Sequence, residues 1–527
     1  MESISTSTSS PLHRVGARRA AGLAAALRDR PAAWLAITGL WLAATAWMRP
    51  LAIPDEGRYV GVAWEMVQRG DWLVPTLDGM PFFHKPPLFY WITAAAMQFF
   101  GPTVWAARAA AWVGAMLCAG SLLLFLRRWA ERRSALAALV VLATLPLFFG
   151  GAQYANMDML VAGCISAATL AAADAVLACE HERRYRRALA LAFGFAALGV
   201  LAKGLIGVVL PVGVLVAWAV ATRRLRQLPG LLFWAPGVLL FIAVAVPWFV
   251  AMQWRYPDFG HYFFVVQHLQ RYAAGGFNNP QPFWFYPLVL VVTALPWSPW
   301  LLLRWRHRPP AADRQRDLRW LMLAWLFVVT VFFSLPQSKL VGYILPALPP
   351  LAFLIADAAC AAGARPGRLE RATAVLAAGV CAVGVVLAHE HQPKSMRALA
   401  ERLQSARQRG EPVVFVGQYA YDIAFYARLD EPVWVVDGWQ PAEVAQDSWR
   451  RELADARSFA AAGAAHRLLR DDELGPALCG VRAAWIVGAW PAAPALPWLA
   501  GQPPEARNGA TALWHVPRAA GCPAARR

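Results

Sequence analysis

Charge is scarce in this chain. Only 16% of its 527 residues are Asp, Glu, Lys or Arg and 58% are hydrophobic, whereas a soluble globular domain carries roughly 25% charged residues. That shortage excludes an ordinary soluble protein and points to a chain that crosses a membrane repeatedly. Lysine is scarcer still. Of 50 basic residues only Lys85, Lys203, Lys339 and Lys394 are lysine. The sequence has no P-loop and no G-x-G-x-x-G between a strand and a helix, so nothing marks a nucleotide site. Its seven cysteines form no C-x-x-C and no zinc-type spacing. It shows no internal repeat of solenoid period. The Ser-rich, Arg-bearing start lacks an Ala-x-Ala cleavage pattern after a short apolar run, which predicts a retained arm over 1–32 rather than a cleaved signal. The net charge of +18 would suggest nucleic acid in a soluble domain. Here the positive residues fall in short clusters between apolar runs, which excludes nucleic acid as a partner in favour of membrane topology.

Long apolar runs are what the chain does have. They fall near 33–49, 102–126, 134–151, 159–178, 188–222, 231–251, 283–303, 318–335, 341–359 and 372–389. The run 188–222 would be about 52 Å long as one helix, well beyond the ~30 Å hydrocarbon core of a bilayer. Two helices with Lys203 at their turn fit better, which gives about eleven spans of the length a bilayer needs. Arginine placement agrees. Clusters at Arg127–Arg133, Arg183–Arg187, Arg223–Arg226, Arg304–Arg319 and Arg365–Arg371 all fall on the side of the N-terminal arm only if 188–222 crosses twice. The positive-inside rule makes that side cytoplasmic. In a bacterial inner membrane the opposite side, with Pro54–Trp91, Asn156–Asp158, Lys203, 252–282, Gln337–Tyr343 and the C-terminus, is then periplasmic. The predicted organisation is a cytoplasmic arm over 1–32, a transmembrane domain over 33–389 and a periplasmic α/β domain over 390–527. In the last part, 412–417, 432–439, 483–490 and 512–516 read as short strands, and 396–410 as a helix ended by Gly410. Antiparallel pairing of 483–488 with 512–516 would bring Cys479 and Cys522 to one end of the ladder, in an oxidising compartment where a disulfide can persist.

Three of the four lysines land at predicted outer ends of membrane helices. A compact ammonium is a point-charge partner for phosphate, so an anionic headgroup near the membrane surface is expected. Lysines can also snorkel to an interface without binding anything. Acids gather on the same side. Asp55 and Asp158 stand beside spans, where ionisable groups usually face a cavity; each could instead cap the helix it precedes. Asp71 and Asp78 read as turn residues. The stretches 86–101 and 258–276 suit aromatic helices lying at the interface. His84 and His268 are candidate ligands for a divalent metal, though nothing in their spacing requires one.

The loop "PDEGRYVGVAWEMVQRGDWLVPTLDGMPFFHKPPLFYW" (54–91) resembles the first outer loop of the lipid A aminoarabinose transferases, which sit with the protein O-mannosyltransferases in the GT-C fold. "NMDM" (156–159), "LAKGLIG" (201–207), "YPDFGHYFFVVQHLQRY" (256–272), "PFWFYPLVL" (282–290) and "SKLVGYILP" (338–346) are similar in the family's order. The resemblance implies a polyprenyl-phosphate-sugar donor and transfer to lipid A, another envelope glycolipid or glycan, or a protein, with no required cofactor. It implies Asp55 and Asp158 as catalytic acids. Lys85, Lys203, Arg271, Lys339 and Tyr343 are implied around the donor phosphate, and Glu56 and Arg58 as further substrate contacts. The chain departs from the family at His84, where the clamp often has Glu, and by an expected two fewer spans before the outer domain. The rival reading is a transporter or flippase of lipid-linked sugar. That should show two equivalent halves and mid-span charge, whereas charge here gathers in asymmetric loops.

Overall fold

The computed structural model describes residues 30–270, 279–302, 313–361, 367–390, 394–446, 448–460, 467–490, 496, 499 and 502–518. Among them, six helices are long and apolar enough to cross a membrane: Ala109–Trp129, Met157–Glu180, Ala235–Arg255, Arg314–Ser334, Val341–Ala361 and Arg368–Glu390. Arg132–Thr144 and Pro146–Ala152 make a seventh if the pair, bent by 68°, counts as one span. The break falls at Pro146, whose ring cannot continue the preceding helix. The run 188–222 does divide, into Arg186–Lys203 and Ile206–Ala221. The run 283–303 is not one continuous helix. It yields Phe285–Thr293 and then turns ahead of Pro296 and Pro299. Pro31–Ala43 and Leu88–Phe100 are likewise short apolar helices.

Small residues let the central helices touch. Gly114 and Gly163 sit at the crossing of Ala109–Trp129 with Met157–Glu180, where a Cβ on either would lie 2.3 Å from a backbone oxygen. Such close approach favours contact where no water drives helices together. At one end of the bundle the arginine clusters are paired across helices. Arg224 binds Glu180 and Asp317 at 2.6 Å each, Arg319 binds Asp357 at 2.9 Å, and Arg128 binds Asp174 at 2.7 Å. The helix ends carrying these residues therefore share one side.

Towards the other end, the 54–91 stretch folds as an amphipathic helix and a hairpin. Helix Asp55–Arg69 buries Tyr59, Val60, Val62, Ala63, Trp64 and Met66 and stops at Gly70, whose φ of 67° is a left-handed cap. Strands Thr76–Leu77 and Met80–Pro81 pair antiparallel through Asp78 and Gly79, both at positive φ, the Asp-Gly turn that matches strand twist. Glu65 fastens this turn to the helix by accepting from Thr76 Oγ1 and the Asp78 and Gly79 amides at 2.6–2.9 Å. Asp71 accepts from the Leu73 and Val74 amides, as a turn residue should. His261–Gln270 winds as a wide π-type helix.

The C-terminal part forms a six-stranded sheet. Leu468–Leu469, Trp434–Val436, Val413–Val416 and Ala483–Ala489 run parallel in that order, followed by antiparallel Thr511–Pro517 and Ala506–Asn508. Strands Leu468–Leu469 and Ala506–Asn508 and helices Trp449–Ser458 and Asp471–Cys479 add to the elements read from sequence. Ala483 does pair with Pro517. Cys479 is disulfide-bonded; Cys522 lies outside the described residues.

This unit is seated on the helix–hairpin. The Val433 amide donates to Asp78 Oδ1 at 2.8 Å, the Trp64 indole to the Leu429 carbonyl at 2.9 Å, and Tyr426 Oη accepts from the Leu51 amide at 2.8 Å. Burial first, and Glu65 second, push the Asp78 carboxyl up to about 8; burial pushes Glu65 up to about 7.

Candidate active site

The start of helix Asp55–Arg69 holds two adjacent acids with opposite fates. Glu56 is wholly buried. Its oxygens accept from Arg108 Nε at 2.9 Å, Arg49 Nη1 at 2.5 Å, and the Ala52 and Ala155 amides at 2.8 Å each. Burial alone would raise its pKa, but Arg108 and then Arg49, by charge and hydrogen bonding, overcome it and hold the carboxyl at about 2. The structure thus sets Glu56, expected as a substrate contact, apart from Asp55. The Glu56 acceptors are committed to the two guanidiniums and it lines no described cavity.

Asp55 does face open space. Pro54 takes the N-cap position and no side chain caps the helix, so Asp55 is not held by capping. It is half-buried, and this burial raises its pKa; Arg58 opposes the rise, while Asp158 and Glu452 add to it. Arg58 Nη1 lies 3.8 Å from Asp55 Oδ1 and its Nε 3.0 Å from Glu452 Oε2.

Asp158 is also free of capping duty. Asn156 caps helix Met157–Glu180 by accepting from the Asp158 amide at 3.0 Å. The Asp158 carboxylate instead makes an ion pair with Lys203, whose ammonium sits 4.1 Å from the centroid of the Tyr343 ring. Gly342 makes room for this pair, since a Cβ there would stand 2.5 Å from Asp158 Oδ2.

Two cavities meet at these acids. One, of about 440 Å³, is lined by Asp55, Arg58, Tyr59, His84, Lys85, Asp158, Lys203 and Tyr343, with Tyr421, Ser448, Trp449 and Glu452 from the C-terminal unit. The other, of about 640 Å³, shares Asp55, Asn156, Asp158 and Leu340 with it. It runs between Pro146–Gly151, Leu345 and the face of helix Arg368–Glu390 that carries Val380, Cys381, Gly384 and Ala388. A polar chamber rich in cations thus adjoins an apolar one, with two carboxylates at the junction.

Residues 52–263 match the dolichyl-phosphate-mannose-protein mannosyltransferase family. Over 315 residues, 59% of this chain and 56% of the relative, the chain is 38% identical to an undecaprenyl phosphate-alpha-4-amino-4-deoxy-L-arabinose arabinosyl transferase of Aeromonas salmonicida. Over 380 residues it is 33% identical to one of Pectobacterium carotovorum, covering 68% and 64% of the two chains. The chain spans little more than half the length of several curated relatives it matches. The crystal structure of ArnT from Cupriavidus metallidurans bound to undecaprenyl phosphate aligns with a TM-score of 0.75 at 23% identity, over 93% of this chain and 98% of that one. The chain has the GT-C fold of that ArnT. The resemblance read in the 54–91 loop is borne out.

Within the GT-C frame the other expected residues divide. Lys339 does not line the polar cavity. It is 3% exposed, and its ammonium donates to the Gln281 and Pro336 carbonyls at 2.8 and 2.5 Å, so its neighbour Leu340 takes the wall position instead. Arg271 and the His268 side chain lie outside the described residues. His84 stacks on Phe82 at 4.4 Å and has Nε2 3.5 Å from Asp455 Oδ2. Burial pushes its imidazole towards the neutral form, against the pull of Asp455. Tyr262 donates to the same Asp455 oxygen at 2.8 Å. Among the described residues no three His, Cys, Asp or Glu side chains are grouped to hold a metal ion.

Sequence reasoning missed Arg49, Arg108, Tyr421, Trp449, Glu452 and Asp455. The amphipathic spacing of "WRRELADARS" could have marked Trp449–Ser458 as a helix. Nothing in it says that Glu452 meets Arg58.

Proposed function

We propose that the protein is an inverting, membrane-embedded glycosyltransferase. It moves a sugar from a polyprenyl-phosphate donor to lipid A, another envelope glycolipid or glycan, or a protein. The observation that carries this reading is the junction of a cation-rich chamber with an apolar chamber at Asp55 and Asp158. A lipid-phosphate sugar has this same duality, a charged head on an apolar tail. Undecaprenyl phosphate is the lipid in the ArnT crystal structure, and 4-amino-4-deoxy-L-arabinose is the sugar in the relatives' names.

In this reading the acceptor oxygen attacks the anomeric carbon from the face opposite the phosphate. The bond from that carbon to the phosphate oxygen breaks, and the electron pair leaves on the lipid phosphate. Lys85, Lys203 and Arg58, with Arg271, offset the charge that grows there. Asp158 holds Lys203 in place, and Tyr343 packs under its ammonium. A hydroxyl acceptor gives its proton to Asp55, whose raised pKa suits a base; a phosphate acceptor has none to give and is only oriented by Asp55. The arrangement proposed in the membrane is about eleven crossings, several of them shorter than the ~20 residues of a simple span. The arm over 1–32 and the paired arginine clusters would be cytoplasmic; the cavities and the 390–527 domain would be periplasmic.

Purified protein in detergent, given a polyprenyl-phosphate sugar and candidate acceptors, should form a glycosylated product detectable by mass spectrometry. A transporter of lipid-linked sugar would form none.

A further inference from the structure

Helix Trp449–Ser458 brings to the polar cavity's wall chemistry that the transfer step does not use. Ser448 takes its N-cap position, where a serine normally accepts from a backbone amide. No such bond forms, and among the described residues its buried hydroxyl has no hydrogen-bond partner on the cavity wall. Trp449, also on the wall, is partly exposed. The Arg450 guanidinium lies over its indole at 4.6 Å and the Trp439 ring stands nearly perpendicular to it at 5.8 Å, contacts that hold the ring in place on the wall. Glu452 is 5% exposed. Tyr421 Oη donates to its Oε2 at 2.5 Å and Arg58 Nε lies 3.0 Å from the same oxygen. Both contacts fall on one carboxylate oxygen, and Oε1 takes part in neither.

We propose that Ser448, Trp449 and Glu452 form the sugar-recognition wall of the cavity, and that the C-terminal unit thereby selects which sugar is transferred. The inference rests on the glycosyltransferase reading. A fixed indole face is a platform for the C–H face of a pyranose ring, and an unpartnered hydroxyl supplies a directional contact to a ring substituent. A carboxylate accepts hydrogen bonds and cannot donate them. Glu452 therefore favours a sugar that presents hydroxyl or ammonium hydrogens and disfavours one carrying its own carboxylate. The class selected is a neutral or amino sugar, not a uronic acid. The lysines lie elsewhere on the cavity wall, so phosphate and sugar are recognised by different parts of the chain.

The test compares affinity of the full-length protein in detergent for bare polyprenyl phosphate and for the same lipid carrying a neutral sugar, an amino sugar or a uronic acid. In wild type, the neutral and amino sugars should strengthen binding over the bare lipid and the uronic acid should not. Trp449→Ala should reduce that gain roughly tenfold, the loss of one aromatic anchor. Trp449→Phe should restore part of it, and Ser448→Ala should weaken it several-fold, as for one hydrogen bond. Binding of the bare lipid should be unchanged in all three, which also reports that they fold. The inference is overturned if wild type gains nothing from the sugar, if the variants leave the gain intact, or if they weaken bare-lipid and sugar-lipid binding alike. Wild type that fails to bind the bare lipid would sink the donor reading itself, a result distinct from these.

Discussion

Glu56→Gln separates a structural acid from a substrate-binding one. The substitution keeps the shape of the side chain and removes its charge, leaving the Arg49 and Arg108 guanidiniums in a buried site with an amide between them. Removing one partner of a buried ion pair costs about 3–5 kcal/mol. The pKa gives a second route to the size. Glu56 moves from an ordinary 4.5 to about 2 on folding, and at about 1.4 kcal/mol per unit that is about 3.5 kcal/mol. Because the folded-state value is depressed, this contribution is fully present above pH 4.5 and is lost as pH falls towards 2. Thermal unfolding in detergent, followed across pH, reads both effects. Wild type should lose stability between pH 4.5 and 2. Glu56→Gln should melt well below wild type at pH 7 and lose less on acidification. Glu401→Gln is the control: that acid is exposed and pairs with Arg397 one turn away, so its loss should shift little. If Glu56→Gln melts with wild type at pH 7 and changes only the KM for donor or acceptor, the structural account is wrong and Glu56 is a substrate contact.

Asp55→Asn should lower transfer to a hydroxyl acceptor by about 10²-fold or more while lipid-phosphate binding persists; normal turnover by the purified variant would remove Asp55 from catalysis. Gly342→Ala should displace Asp158 from Lys203, because the new methyl would stand 2.5 Å from Asp158 Oδ2. Single-turnover transfer should slow with little change in melting temperature, and an unaffected rate would refute the close fit. Burial pushes the Asp78 and Glu65 carboxyls up to about 8 and about 7. Their raised values mean that stability is lost as pH rises from the ordinary carboxylate range towards 8. Amide exchange at Val433 should therefore quicken between pH 6 and 8.5 by more than the intrinsic rate does, and Asp78→Asn should flatten that extra dependence.

Local pattern carried much of the architecture into the sequence. The Lys203 turn, Asp78 as a turn residue, four of the six strands of the C-terminal sheet and the gathering of Asp55, Lys85, Asp158, Lys203 and Tyr343 on one side were legible. Spacing, turn chemistry or the family resemblance announces each of them. The surroundings of Lys339 and Glu56 were not legible, for a common reason. Sequence shows that an ionisable residue stands near the membrane edge; it does not show whether carbonyls or guanidiniums already occupy its hydrogen-bonding capacity. The contribution of Trp449, Glu452 and Asp455 was hidden because it depends on how the C-terminal unit is seated, and contacts between residues nearly 400 positions apart leave no local mark. The run 283–303 looked like a span by composition, but Pro296 and Pro299 were the signal that it breaks.

The contact between Arg58 and Glu452 joins residues 394 positions apart. A ribosome adding about 5–20 residues per second finishes Glu452 some tens of seconds after Arg58. During that interval the helix bundle can assemble, but the cavity lacks one wall and Arg58 lacks its carboxylate. On the proposed reading, the nascent protein passes through a stage in which the lysines meet lipid phosphate before Glu452 and Trp449 are there to inspect what the lipid carries. Selectivity would be the last property that this chain acquires during its synthesis.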